Sequence, residues 1–483
     1  MKINKRITKS IFFLAVMAML SSCTKNFSEL NQNPNQAAAA APETLLAPAL
    51  YDVLSTNLVR SHRINNDLMQ VSVFLAETRE FHRYVVRPSE SDAMWNSWYL
   101  ELTNFKDMYK SAQATNQKSY MGIALIMDAW VSSMITDMFG DVPYFQANMG
   151  KDGLLTPKFD KQKDIYIDLY KKLDSANTYL AANIALTDQQ KSLDILYQGD
   201  IAKWRKFGNS LYLRLLMRMA DKAEMQAGTK INDMLVTNKA NYPIFTSNAE
   251  SAILKYTGVS PLFSPFYTYR AMDFQSASTE FFVNTLKNLG DPRLTIWATK
   301  FNNDYLGVPS GYDASQVVTA KSLLPDALKN NALMGNIMNY AELQFIVAEA
   351  ITRGMVSLGT AKTYYDNGIT NAITLWGLTV PANYLSSANA AWNDGASFND
   401  KMEKIMLQKY FSLFFTDFQQ WTEFRRTKHP VLPIGTGVQN GGKMPSRFVY
   451  PVIVQSVNGA NYNAAVAGMG GPDDINTKVW WNQ

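Results

Sequence analysis

The stretch IMNYAELQFIVAEAITRGMVSLGTAKTYYDNGITNAITLW, residues 337–376, consists of two apolar runs at helical spacing, divided at Gly354. Apolar side chains recurring every three to four residues line one face of a helix. A glycine just past such a run supplies the left-handed residue on which a helix ends. Ala348, Ala350 and Ala361 are small enough to let two helices approach closely. The segments 337–353 and 360–376 therefore predict a helical hairpin of tetratricopeptide type, one unit of a stacked architecture. Segments 119–139 and 163–182 predict another.

The same spacing extends outward from this hairpin. Helices are predicted over Leu45 to Val59, Asn65 to Glu77, Ala93 to Ala114, Ser119 to Phe139, Lys163 to Ala182, Ile201 to Ala227, Thr279 to Leu289, Ile337 to Thr352, Thr360 to Leu375 and Phe398 to Phe415. Strand-like runs are confined to Val85-Val86 and Ile253 to Tyr256, too little for a sheet-based core. The predicted class is all-α with minor β. Polar connections at 241–278, 301–335 and 427–483 are long, and long loops in a compact domain usually bear function.

The N-terminus has another character. Lys2, Lys5, Arg6 and Lys9 precede an apolar run from Ile11 to Leu20, the layout of a secretory signal. Ten residues rise only about 15 Å as a helix, half of a hydrocarbon core about 30 Å thick, so the run is too short to span a bilayer. Leu20-Ser21-Ser22-Cys23 resembles the bacterial lipobox, in which the cysteine is lipidated and becomes the first mature residue. Cys23 is the only cysteine in the 483 residues, so no disulfide competes for it. The expected division is a signal peptide over 1–22, a lipidated tether over 23–42, polar and then alanine-rich, and a single domain over 43–483. Removing 1–22 takes away four of the 46 basic residues and none of the 41 acidic ones, leaving 42 against 41. A nearly neutral chain lacks the basic field that nucleic-acid binding requires.

Catalytic signatures are sparse. His62, His82 and His429 are the only histidines, none at metal-ligand spacing, and no GxSxG elbow accompanies them. No metal or cofactor is predicted. The run Gly435 to Gly442 has Asn440 where a phosphate-binding GxGxxG needs its third glycine, and reads as a loop. A glycoside hydrolase needs two carboxylates some 5–10 Å apart, and nothing marks such a pair. Asp137 and Asp141 bracket Gly140, a helix-ending glycine. Glu342 and Glu349 share a helix face suited to pairing with arginine, and Glu423, Arg425 and Arg426 read as a structural ion-pair network.

Aromatic clusters are the better clue, because sugars stack their C–H faces on rings while Asn, Asp and Arg bind their hydroxyls. One cluster runs from Arg79, His82 and Tyr84 to Trp95, Trp98 and Tyr99, with Asn104 beyond. Trp98 and Tyr99 continue the apolar face toward Leu102 and are expected in the core. The second cluster is FSPFYTYRAMDF, with Tyr267, Tyr269, Arg270 and Asp273.

Ten stretches in order resemble the SusD/RagB family of nutrient-binding outer-membrane lipoproteins of Bacteroidetes. They are LNQNPN (30–35), TDMFGDVPYFQA (136–147), PKFDKQKDIY (157–166), YQGDIAKWRKFGNSLYLRLLMR (197–218), DPRL (291–294), NYAELQFIVAEA (339–350), YYDNGI (364–369), IMLQKYFSLF (405–414), WTEFRRTKHP (421–430) and DDINTKVWW (473–481). The resemblance implies a tetratricopeptide-like, SusD-like fold without catalysis. It also implies a SusC-like TonB-dependent transporter as partner and an oligosaccharide or peptide as ligand, captured at the cell surface. The residues after Cys23, Thr-Lys-Asn-Phe, depart from the acidic run that marks surface export in many relatives. The expected ligand-binding residues are Trp95, Asn104, Arg79, Tyr267, Tyr269, Arg270 and Asp273.

Overall fold

The computed structural model describes residues 40–75 and 80–483. Cys23, the signal and tether segments before residue 40, and Arg79 lie outside them. Pro42–Gln483 forms one compact unit.

Twelve helices of that unit matter below: α1 (Pro42–Arg63), α2 (Glu90–Ala114), α3 (Lys118–Phe139), α4 (Gln162–Ala181), α5 (Ile201–Arg218), α6 (Glu280–Leu289), α7 (Tyr340–Thr352), α8 (Ala361–Thr374), α9 (Phe398–Ser412), α10 (Gln419–Thr427), α11 (Val452–Val457) and α12 (Gly459–Ala467). Among the described residues six short strands join them: β1 (Ser72–Val73), β2 (Val142–Pro143), β3 (Phe159–Asp160), β4 (Ala252–Leu254), β5 (Ala277–Ser278) and β6 (Gly335–Met338). These pair as three antiparallel ribbons, β1 with β5, β2 with β3 and β4 with β6. The fold is all-α with minor β.

Both predicted hairpins form, and in each a glycine sets the helix separation. A Cβ on Gly368 of α8 would lie 2.6 Å from the Phe345 ring of α7, and one on Gly122 of α3 would lie 2.6 Å from Leu180 of α4. Gly354 ends the first hairpin's leading helix region at φ +71°. The α3 helix is long and apolar enough to cross a membrane, yet its apolar window is entirely buried. A helix apolar all round belongs at the centre of a large core; α2, α4 and α5 pack against it, and the α7–α8 hairpin joins the stack through α5 and α9.

Four local expectations are corrected. Over 65–77 the helix stops at Leu68, because Gln70 takes a left-handed conformation (φ 54°) and hands its side-chain amide to the Pro433 carbonyl at 2.6 Å. The following residues pair with β5 instead. The helix expected from Ile337 starts at Tyr340, since Asn339 caps it by accepting from the Glu342 amide at 2.9 Å while 335–338 pair with β4. The helix from Ile201 ends at Arg218, tightening into three-residue turns at Met219 and Ala220. Val85-Val86 is irregular, following Tyr84 at φ 64°.

Asp417 shows what burial does to an acid in this frame. Its Oδ1 accepts from the Gln419 amide at 3.0 Å, Oδ2 has no donor among the described residues, and burial pushes the carboxyl up to about 6. The folded chain then holds a proton that the unfolded chain releases from about pH 4 upward, so the penalty grows through that window and is complete above about pH 6. Asp417→Asn is expected to raise stability by up to about 3 kcal/mol at pH 7 and by nothing at pH 4. Urea unfolding at the two pH values checks this; an equal effect at both would contradict it.

Candidate functional site

The α2 helix positions the first aromatic cluster. Trp98 faces the core, where its indole N–H donates to Asn57 Oδ1 on α1 at 2.8 Å and its ring meets Phe418 edge-on. Trp95, almost one turn earlier, lies over the junction of α3 with the C-terminal segment. Its indole stands edge-on to Phe139 (5.1 Å) and Tyr450 (6.2 Å) and tilts against Tyr99 (4.8 Å). Only 8% of Trp95 is exposed. That part walls an open cavity of about 230 Å³, with Tyr99, Leu155, Pro157, Val454, Val457 and the amides of Asn148 and Asn458. Rings with a few fixed amides suit a neutral, hydroxyl-rich ligand.

Asn148 is held tightly. It adopts φ 65°, and its Nδ2 donates to the Tyr99 carbonyl at 2.7 Å and to Thr103 Oγ1 at 2.6 Å. The residue, with Ala147, also lines a second cavity of about 350 Å³ beyond it. This neighbour is rich in charged side chains of both signs: Thr103, Lys106, Asp107 and Lys110 come from α2, Asp168 and Lys172 from α4, and Tyr144, Phe145, Met149 and Asp152 from the 144–153 loop. Tyr144 donates to Asp168 at 2.7 Å, and Lys172 pairs with Asp128 of α3 at 2.8 Å beneath the Tyr144 ring. Lys106 donates to the Ala147 carbonyl at 3.1 Å, and burial pulls its pKa down to about 8.

Sequence reasoning missed this second cavity. A signal was present: Trp95, Tyr99, Thr103, Lys106 and Lys110 recur at intervals of three and four, one stripe along α2. The stripe changes from aromatic to basic along its length.

The other expected residues go elsewhere. Asn104 donates to Glu101 at 2.7 Å and lines neither cavity. Tyr267 is half-exposed and tilts on Phe263 at 4.4 Å, while Tyr269 meets Phe266 edge-on and its carbonyl accepts from Lys329. Arg270 and Asp273 form an exposed bidentate pair at 2.7 and 2.8 Å. Phe266 and Phe274 are core residues packed on His62. None of these lines the Trp95 cavity, so the two aromatic groups are separate surfaces.

The carboxylates weighed for catalysis are occupied structurally. Asp137 accepts from Arg218, Tyr166 and Trp481; Asp141 accepts from Lys161 at 2.7 Å and from the first amide of α4 at 2.9 Å. Glu342 takes Arg214 at 2.7 and 2.6 Å. Gly435 and Gly437 of the glycine-rich run press against the backbone of 310–313, a loop contact. Among the described residues no group of three or more His, Cys, Asp or Glu is arranged to hold a metal.

Stacked helical hairpins with lined surface cavities define a tetratricopeptide-like helical protein. A family model described as "Starch-binding associating with outer membrane", the SusD-like group, matches residues 34–451, and the chain belongs to this SusD-like family. Solved structures agree in fold. A chitin-binding protein is 26% identical, with TM-score 0.77 over 92% of this chain and 99% of that one. A chitin-binding SusD homolog from Flavobacterium johnsoniae is 21% identical, with TM-score 0.79 over 92% and 98%. A SusD homolog from Bacteroides uniformis is 23% identical, with TM-score 0.76 over 91% and 99%. No curated protein matches significantly in sequence.

A lysine with a depressed pKa is a nucleophile at lower pH than its neighbours. At pH 8, limiting acetic anhydride is expected to acetylate Lys106 ahead of exposed Lys110, with half-maximal reactivity near pH 8. Peptide mass spectrometry reads the order; Lys106 reacting last and only above pH 10 would contradict the electrostatics.

Proposed function

We propose that this protein is a non-catalytic outer-membrane lipoprotein that binds a nutrient oligosaccharide and delivers it to a SusC-like TonB-dependent transporter. The observation carrying the binding half is the Trp95 cavity, where an indole and a phenol meet with two amides close by. Family membership supports an outer-membrane setting, and the chitin-binding relatives make chito-oligosaccharides the first ligands to try. Arg79, Asn104 and the Tyr267, Tyr269, Arg270, Asp273 loop are proposed as secondary contacts to a longer glycan.

In this reading 1–22 is the signal peptide, Cys23 bears the lipid, and the segment to residue 42 tethers the domain that follows. A flexible chain of about 20 residues reaches roughly 25 Å, suited to a cap tethered beside its transporter. Two or three acyl chains hold such a protein on a membrane where one would not.

Trp95→Ala is expected to weaken chito- or malto-oligosaccharide binding at least tenfold by calorimetry, the size of a central aromatic anchor. Since Trp95 also packs on Phe139, Val457→Trp provides an independent block: Val457 is exposed at the cavity rim and its replacement disturbs no core contact. If both variants bind as the parent does, the saccharide reading is wrong. For the anchor, Cys23→Ser is expected to shift the protein from the membrane fraction to the soluble fraction of the producing cell. Retention of that variant in the membrane would remove the lipid from the account.

A further inference from the structure

We infer that the polar cavity adjoining Trp95 is a subsite for an anionic substituent, a carboxylate or a sulfate, on the bound oligosaccharide. The inference rests on the reading of the Trp95 cavity as a saccharide site and names the ligand class more narrowly.

The two cavities are neighbours by construction, since Ala147 and Asn148 form part of the wall of each. Trp95 and Lys106 are eleven residues apart on one helix, roughly 16 Å along its axis. A ring stacked at Trp95 and a group reaching Lys106 would thus belong to different units of one oligosaccharide.

The charges in the polar cavity are unequally satisfied. Lys172 is bound to Asp128 at 2.8 Å and Asp168 at 3.7 Å. Asp168 also accepts from Tyr144, and Asp107 meets Lys151 at 3.4 Å. Lys106 has no carboxylate within ion-pair distance among the described residues; its partner is the Ala147 carbonyl alone. An ammonium carries three donors, which leaves two free in a partly shielded site. Lys110, exposed at the same wall, adds a second cation outside any ion pair among the described residues; the acids lining the cavity are Asp107 and Asp168, each already paired with a lysine, and Asp152 on the exposed loop. Desolvation without a counter-ion disfavours the charged form, as the lowered pKa of Lys106 reflects, with Lys110 and Lys172 acting in the same direction and Asp128 and Asp168 against it. A ligand anion at Lys106 would supply the missing partner. The wall is already fixed, because Asn148 is pinned to Tyr99 and Thr103, so little ordering is left to binding.

The test is calorimetry on the mature chain with three probes: a neutral chito-oligosaccharide, an oligogalacturonate and a sulfated carrageenan oligosaccharide. Lys106→Met is expected to weaken at least one acidic probe tenfold or more while leaving the neutral probe unchanged, and Lys106→Arg to restore it. Raising the pH from 7 to 9 is expected to weaken the acidic probe on the parent, as Lys106 loses its proton, and to have no such effect on Lys106→Arg. Response to oligogalacturonate alone assigns a carboxylate, and to carrageenan alone a sulfate. The inference is overturned if neither acidic probe binds the parent, or if every acidic probe that binds the parent binds Lys106→Met equally. Neutral binding lost on Trp95→Ala would in those cases leave the saccharide site standing; neutral binding indifferent to Trp95→Ala would fell that reading instead.

Discussion

Arg218, buried at the end of α5, cannot lose its proton at any relevant pH and so requires acids around it. Asp137 from the end of α3 bonds one of its nitrogens, and Gln419 at 2.7 Å and Glu423 at 3.5 Å of α10 meet the other. Glu423 binds Lys409 of α9 at 2.9 Å and Arg426 at 2.6 Å; Arg426 grips Glu349 of α7 at 2.6 and 2.7 Å; Glu349 holds Arg353 at 2.7 Å, which ends on Asp221. Four acids alternate with four bases across five helices and their edges. Taking any one of these charges out of water alone costs several kcal/mol, whereas removing one partner from a buried pair costs about 3–5 kcal/mol. The helices must therefore come together in one arrangement or leave a charge stranded. Apolar packing supplies most of the stability of such a core; the ion network selects which packing.

The surface cavities inherit their rigidity from that network. Asp137 fixes the last turn of α3, and Gly140 (φ +86°) then turns the chain so that Asp141 caps α4. The β2–β3 ribbon follows, and Asp160 accepts from the amides of Tyr144 and Phe145 at 3.0 and 2.8 Å, which sets the 144–153 loop against α2. Phe139, two residues beyond Asp137, is the ring on which Trp95 stands. Arg447 closes the other side, bonding the Phe139 carbonyl at 3.0 Å while its guanidinium lies 4.6 Å over the Tyr450 ring. Trp95 is thus linked through Phe139 and the end of α3 to the buried Arg218–Asp137 pair.

This layering explains what was legible in the sequence. Periodicity reports which face of a helix is buried, and each of the ten predicted segments holds a helix, though 65–77 keeps only Asn65–Leu68 among its described residues and 201–227 breaks after Arg218. Glu342, Glu349 and Glu423 were readable as arginine partners because helix-borne acids on an apolar face have few other outcomes. Gln70 was not readable as a helix stop, because glutamine has no intrinsic preference for φ 54°; the Pro433 carbonyl, distant in sequence, holds it there. The same limit applies to the site. Trp95 could be named from its residue type and company, but the wall opposite it comes from Leu155, Val454 and Asn458, which no local pattern connects to α2. Lys106 looked like an ordinary helix-surface lysine until α4 and the 144–153 loop enclosed it.

The separation of the two aromatic groups bears on how such a protein holds a polymer. Trp95 lies in a cavity fixed by the ion network, whereas Tyr267 stands on a loop anchored by Phe266 and Phe274 packed on His62, whose Nε2 also donates to the Phe274 carbonyl at 2.9 Å. A short ligand would be confined to the first surface, because a half-exposed tyrosine on its own has neither the enclosure nor the fixed hydrogen-bonding partners of a pocket. A long chain engaging the first site would raise its own effective concentration at the second, and weak contacts there would then matter. With residues 1–22 removed as proposed, 42 basic residues would face 41 acidic ones, so long-range attraction would do little and the contacts themselves would select the ligand. On the proposed reading, selectivity would be a property of the α2 stripe, whose change from indole to ammonium over eleven residues would give a polysaccharide a direction in which to lie.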